Sequence, residues 1–142
     1  MKGPTALTET EALIRRYYDA FNARDWHSML ACLADDVHHD VNEGQSRRGK
    51  PAFRDFLLHM ARCYDERLEA IAVMVDQSGR RAAAEFMVYG RYLQTDADLP
   101  PARGQVYVLP AGAFFHVGDG RIMRVTTYYN LGNWRSQVER PF

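Results

Sequence analysis

The fold of this 142-residue chain can be worked out from the stretch Val37-His38-His39-Asp40-Val41-Asn42. The stretch alternates apolar and polar residues, and neighbouring side chains of a β-strand point to opposite faces of the sheet. A strand here places His38, Asp40 and Asn42 on one face and the other three residues on the opposite face. The polar face either lines a pocket or is the solvent-exposed face of an edge strand, and the pattern allows both.

Two helical patterns precede this strand. The first begins at the capping-box sequence Thr8-Glu9-Thr10-Glu11, and apolar residues then recur at helical spacing. This helix should end near Asn22-Ala23-Arg24. Asp25 is suited to cap a second, shorter helix, which should end at Asp35-Asp36.

A polar loop and a third helix follow the strand. The loop covers residues 43–49, and Pro51 is well placed for the first turn of the helix. The apolar stripe of this helix extends from Phe53 to Tyr64.

From Ile71 the apolar period shortens to two residues, which predicts β-strands for most of the remaining chain. Pro110 and Gly112 lie inside one of these strands and predict a bend or bulge, because proline cannot donate a ladder hydrogen bond. A short turn or helix over residues 133–139 should close the chain. The predicted strands cover residues 71–75, 81–95, 104–117 and 121–131, with turns or loops at 78–79, 96–102 and 118–120.

This order of elements predicts an α+β protein with a single domain over residues 1–142. Three N-terminal helices, with one strand inserted before the third, should gather on one side of a curved, mostly antiparallel sheet. A bent sheet closed by helices forms a cone with an interior cavity, and such cavities are favoured ligand sites.

Composition narrows the classes of partner. The formal net charge is zero, which favours neither nucleic acid nor an anionic membrane surface, and no apolar run is long enough to span a bilayer. Cys32 and Cys63 both fall in helical patterns and are predicted to be small buried apolar residues. The default prediction is therefore a reduced, cytoplasmic protein. Adjacent His38 and His39 cannot both reach one ion from an extended strand, so no metal site and no cofactor are predicted.

The chain resembles the nuclear-transport-factor-2-like (NTF2-like) superfamily, in the branch that contains ketosteroid isomerases and SnoaL-like polyketide cyclases. The likeness covers residues 7–139 and depends on the order and spacing of several short motifs. It implies a cone-shaped fold that binds an apolar small molecule and a homodimer formed through the open sheet face. The residues that carry the resemblance are 16–25, 33–37, Gly49 with Phe53 and Phe56, and 120–122 with Val125.

The resemblance also implies roles for individual residues. Ketosteroid isomerases use a tyrosine on the first helix, an aspartate base on the first strand and a protonated aspartic acid on a later strand. These correspond here to Tyr17, to a position near Asp40, and to Ala111 or Gly112, where the acid is missing. Steroid isomerisation is therefore not predicted. SnoaL-like cyclases need one acid/base aspartate in the cavity, which this chain could supply.

Asp40 is accordingly the predicted base, because an apolar cavity raises the pKa of a carboxyl group. His38 shares its face and would orient it or shuttle a proton, while His39 faces the other way and is predicted to be structural. Tyr17 is either a donor in the pocket or a hydrogen-bonded core residue. The remaining predicted ligand-binding residues are Phe21, Trp26, Asn42, His116, Tyr128 and Asn130.

Two functions are compatible with this pattern. The first is a small cofactor-free isomerase, cyclase or dehydratase that moves a proton on an apolar carbonyl compound of polyketide or steroid type. The second is a non-catalytic ligand-binding or protein-interaction module built on the same cone, in which Asp40 is fully paired or faces solvent.

Overall fold

The computed structural model describes residues 5–41 and 44–141, which form four helices and one six-stranded sheet. The helices of these residues are α1 (Ala6–Asn22), α2 (Trp26–Ala31), α3 (Lys50–Cys63) and α4 (Leu131–Val138). The strands are β1 (Leu33–Val41), β2 (Ser46–Arg48), β3 (Tyr64–Val75), β4 (Arg81–Tyr92), β5 (Val106–Gly118) and β6 (Arg121–Tyr129).

The sheet has the strand order β2-β1-β6-β5-β4-β3. Only β1 and β6 are parallel, and every other neighbouring pair is antiparallel. Helices cover the inner face of this curved sheet, so the predicted α+β class and cone-shaped architecture are confirmed. None of the helices in the described part of the chain combines the length and hydropathy that crossing a bilayer requires.

The first helix begins three residues earlier than predicted. Thr5, and not Thr8, is its N-cap: the Thr5 hydroxyl accepts from the backbone N–H of Thr8, and the Thr8 hydroxyl accepts from that of Thr5. The predicted end at Asn22 is confirmed. The side-chain amide of Asn22 exchanges two 2.9 Å hydrogen bonds with the backbone of Leu68, which fixes the end of α1 against β3.

Several element boundaries also differ from the prediction. The second helix was predicted to end at Asp35-Asp36, but α2 ends at Ala31 and β1 already begins at Leu33. The strand β3 begins at Tyr64, directly after α3, and not at Ile71 as predicted. The residues after Tyr64 are mostly charged, so their alternation between the two faces of the strand does not show as an alternation of apolar residues. A short strand, β2, lies inside the predicted polar loop and pairs with β1.

A bend or a bulge was predicted at Pro110 and Gly112, and the bulge is not found. The pairing of β4 with β5 is continuous across this residue, and β6 pairs with β5 only from Ala111 onward. The pairing changes register instead between Glu69 and Ala72 and between His116 and Val117.

Candidate functional site

A cavity of about 620 Å³ lies between the helices and the inner face of the sheet. This volume is typical of sites that take a drug-sized organic molecule. Its walls are mainly aromatic and aliphatic, with Tyr17, Tyr18 and Phe21 from α1, Phe53 and Phe56 from α3, and Trp134 from α4. A ligand that fills this space must be largely apolar.

Glu66 places a carboxyl group in the wall of this apolar cavity. The Tyr107 hydroxyl donates a 2.5 Å hydrogen bond to Glu66 Oε2, and the indole N–H of Trp134 in turn donates to the Tyr107 oxygen. Burial raises the pKa of Glu66, and the hydrogen bond from Tyr107 opposes this only in part. The carboxyl is therefore held in one position, and its affinity for a proton is increased.

Gly90 makes the contact between Tyr107 and Glu66 possible. It pairs with Glu66 on β3 at one side and with Tyr107 on β5 at the other. The Tyr107 ring crosses the middle strand to reach the carboxylate, and a β-carbon on Gly90 would lie only 2.2 Å from this ring. Only glycine leaves room for the crossing.

We expect Gly90→Ala to lower the free energy of unfolding by about 1–3 kcal/mol, because the added methyl group forces the Tyr107 ring away from Glu66. Urea denaturation measures this change. The matched control is Gly44→Ala, where the nearest heavy atom would be 3.6 Å from the new β-carbon. Equal stability of the two variants would contradict the proposed crossing.

His39 is a second polar group in the cavity wall. Its ring packs between Phe53 and Phe56, with ring centroids 4.3 and 4.7 Å away, and only 3% of the residue is exposed. Burial, reinforced by the nearby Arg47 guanidinium, lowers the pKa of His39 to about 4. The imidazole is neutral at physiological pH, and its Nδ1 has no hydrogen-bond partner among residues 5–41 and 44–141.

Two of the predicted pocket residues line the cavity. Tyr17 and Phe21 both contribute to its wall from α1, and burial raises the pKa of the Tyr17 hydroxyl, which keeps it a proton donor at neutral pH. Trp26 lies next to them, with its ring centroid 5.9 Å from that of Phe21, but it does not reach the cavity.

The prediction that Asp40 and His38 point into the cavity is wrong. The alternation along β1 is as predicted, but Val41 and His39 face the cavity and the two catalytic candidates lie on the outer face. There the Asp40 carboxylate lies 3.2 Å from His38 Nε2 and 3.4 Å from the Arg124 guanidinium. Period-two alternation sorts residues into two faces but does not say which face the helices cover.

The electrostatics of Asp40 are also opposite to those expected of a buried base. A hydrogen bond from Ser46 is the largest influence, and together with His38 and Arg124 it lowers the pKa of Asp40. The His38 ring also lies 2.7 Å from the Ser46 hydroxyl. This group of residues is an outer-face polar cluster with its charges already paired.

Three other predicted ligand-binding residues, His116, Tyr128 and Asn130, do not line the cavity. His116 lies on β5 in register with Arg81 and Arg124, and burial together with these two cations lowers its pKa. Tyr128 is exposed, and the side chain of Asn130 caps α4. Asn42 lies outside the described residues.

Glu66 and Tyr107 were missed by the sequence analysis. A signal for Glu66 was available, because Glu66 lies two residues from each of the apolar residues Tyr64 and Leu68 and so shares their face of a strand. The register change between Glu69 and Ala72 means that this face cannot be extended from Ile71. No local pattern links Tyr107 to Glu66, because the two residues meet only across an intervening strand.

A cone of helices and curved sheet around a ligand-sized cavity is the NTF2-like architecture, so the predicted class of protein is confirmed. The chain belongs to the SnoaL-like domain family, whose model matches residues 14–125. No curated protein has a sequence that matches this chain.

Solved structures similar to this chain agree with this fold and family. A candidate polyketide cyclase from Pseudomonas putida is 53% identical, with a TM-score of 0.89, covering 96% of this chain and 99% of that one. A second candidate polyketide cyclase, from Xanthomonas campestris, is 49% identical, with a TM-score of 0.92, and the match covers 95% and 100% of the two chains. An NTF2-like protein from Burkholderia pseudomallei shares the fold at 19% identity, with a TM-score of 0.73 and coverage of 93% and 98%.

Proposed function

We propose that this protein is an isomerase- or cyclase-type enzyme that transfers a proton on an apolar carbonyl compound, using its own side chains as acid and base. The observation that carries this proposal is the carboxyl group of Glu66, held by Tyr107 in the wall of an aromatic cavity. A carboxylate with a raised pKa is a stronger base, and a pKa closer to the working pH suits a group that must both take up and return a proton.

The proposed reaction begins with removal of a proton from the carbon next to the carbonyl group. The proton passes to Glu66, and the electron pair of the broken C–H bond moves into an enolate. The Tyr17 hydroxyl and the neutral imidazole of His39 line the same cavity and would donate hydrogen bonds to the enolate oxygen. Return of the proton at another carbon gives an isomer. Alternatively, the enolate carbon attacks a second carbonyl group, whose oxygen takes the electron pair of the C=O π bond and then the proton from Glu66, which gives a ring with a hydroxyl group.

The relatives support a carbonyl substrate. Two proteins about half identical to this chain are candidate polyketide cyclases, and polyketides are chains and rings rich in ketones. The ten aromatic residues in the cavity wall also suit planar or polycyclic compounds.

The proposal is tested with a panel of polycyclic ketones in deuterated water. Nuclear magnetic resonance follows the loss of the proton next to the carbonyl, and we expect the protein to accelerate this loss for at least one ketone. The chain contains two tryptophans, so Trp26→Phe leaves Trp134 in the cavity wall as the single tryptophan reporter of binding. Quenching of its fluorescence without proton exchange would favour the non-catalytic binding module.

Two further expectations remain proposals. Exposed apolar side chains on the outer sheet face, among them Val108, Phe114 and Tyr128, support the association of two copies through that face. The free cysteines Cys32 and Cys63 support a reducing, cytoplasmic location.

A further inference from the structure

Three side chains with metal-binding atoms meet at the rim of the cavity. His59 and Cys63 lie four residues apart on the same face of α3, and Asp96 comes from the segment between β4 and β5. His59 Nε2 is 2.8 Å from Asp96 Oδ1 and 4.0 Å from Cys63 Sγ, and the ligand atoms of all three residues lie within 4.8 Å of one another.

We propose that His59, Cys63 and Asp96 bind a divalent metal ion of the zinc type. Imidazole, thiolate and carboxylate are the three ligand types that zinc takes in proteins, and three protein ligands leave its fourth position open. The proposal is independent of the proton-transfer function, because neither Glu66 nor Tyr107 belongs to this cluster.

The arrangement converges on one point, which distinguishes it from a nucleophilic relay. A Cys–His–Asp relay uses both ring nitrogens of the histidine, one facing the thiol and the other facing the carboxylate. Here the thiol and the carboxylate both approach the same atom, His59 Nε2. A single cation between the three atoms satisfies all of them at once.

The distances need only small adjustments to fit a tetrahedral ion. Ligand bonds of about 2.0–2.3 Å place neighbouring ligand atoms roughly 3.4 Å apart. The histidine–carboxylate distance of 2.8 Å must therefore lengthen, and the histidine–thiol distance of 4.0 Å must shorten, each by rotation of a side chain. On binding, the ion displaces the proton between His59 Nε2 and Asp96 to solvent or to His59 Nδ1, and the Cys63 thiol releases its proton to solvent.

The carboxylate of Asp96 is already oriented for this role. The Tyr64 hydroxyl donates a 2.7 Å hydrogen bond to Asp96 Oδ2, which leaves Oδ1 directed at His59. The backbone N–H of Asp96 donates to the Tyr92 hydroxyl at 3.0 Å. Such outer hydrogen bonds fix the orientation of metal ligands.

A bound ion would attach the 93–105 segment to α3. Residues 96–99 of this segment line the cavity, so the ion would stiffen one side of its rim. Because an ion that binds only the folded chain stabilises it, zinc should also raise the melting temperature.

The test uses the full chain after treatment with a chelator and dialysis. We expect isothermal titration calorimetry to show one zinc ion per chain. Cobalt(II) used as a probe should give the absorption bands of a tetrahedral site with a thiolate ligand. Cys63→Ser should remove the thiolate band and weaken zinc binding at least about 100-fold, whereas Cys32→Ser, at the other buried cysteine, should leave both unchanged.

Cys63 is buried, so its substitution could disturb folding; His59→Ala at the partly exposed histidine provides a second test. Circular dichroism confirms that each variant is folded, and His59→Ala should also weaken zinc binding at least about 100-fold. Absence of zinc binding to the wild-type chain would overturn the proposal, as would unchanged binding to His59→Ala. In either case the His59–Asp96 pair would serve only as a hydrogen-bonded anchor of the segment.

Discussion

Glu66→Gln is expected to slow proton exchange on a ketone substrate by about 10²–10⁴-fold, the usual contribution of a positioned acid or base. Glutamine has nearly the same size and can still accept the hydrogen bond from Tyr107, so the cavity should keep its shape. It cannot take up a proton at neutral pH. The loss should therefore fall on the rate of exchange, measured by nuclear magnetic resonance, and not on ligand binding, measured by Trp134 fluorescence.

The matched control for this experiment is Asp40→Asn, the same chemical change at a carboxylate outside the cavity. Asp40 is already paired with His38 and Arg124 on the outer face, so exchange should be unchanged. Tyr107→Phe should give an intermediate loss, because the carboxyl remains but is no longer oriented. Full activity of Glu66→Gln, or a large loss in Asp40→Asn, would contradict the assignment of the base.

The elements of this fold are largely predictable from local sequence. The cap at Asp25, the end of α1 at Asn22 and the long alternating strands β4, β5 and β6 each follow from patterns within a few residues. The start of β3 was predicted too late for an equally local reason. Charged residues lie on both faces of its first part, so apolar residues do not alternate there as they do after Ile71. Element type was therefore more predictable than element boundaries.

The site is less predictable, because it depends on contacts between distant parts of the chain. Which face of β1 the helices cover is settled by packing: α3 places Phe53 and Phe56 against His39 and not against Asp40. The ion-paired partner of Asp40, Arg124, lies on β6 and has no signal near residue 40. Tyr17 and Phe21 were predicted correctly to face inward, because a single helix stripe determines both.

The metal-ligand cluster shows the same limitation in a different form. His59 and Cys63 have a helical spacing that the sequence displays, but the third ligand lies 33 residues beyond Cys63, in a segment predicted only as a loop. Neither the register of β3 with β4 nor the return of the loop to α3 can be derived from residue types alone. The sequence analysis overlooked this pair and predicted no metal site, and two ligands alone would not define one.

Between pH 6.5 and pH 4, protonation of His39 should lower the wild-type free energy of unfolding by about 3 kcal/mol, and we expect His39→Phe to abolish this decrease. The unfolded chain binds a proton at His39 with the ordinary pKa of 6.5, whereas burial lowers the folded pKa to about 4. Between these values the unfolded state holds more protons, so the wild-type free energy of unfolding must fall as the pH falls. Phenylalanine fits the aromatic surroundings and does not titrate.

Urea denaturation at several pH values measures the difference in free energy of unfolding between wild type and variant. The contributions of the other titrating groups are the same in both chains and cancel in this difference. Phe53→Leu is the matched control: it removes aromatic packing against the same imidazole but adds or removes no titratable group. Its curve should lie below that of wild type by a similar amount at every pH. If the His39→Phe curve were also parallel to wild type, the imidazole would not be held neutral. It could then not serve as the neutral hydrogen-bond donor that the proposed reaction requires.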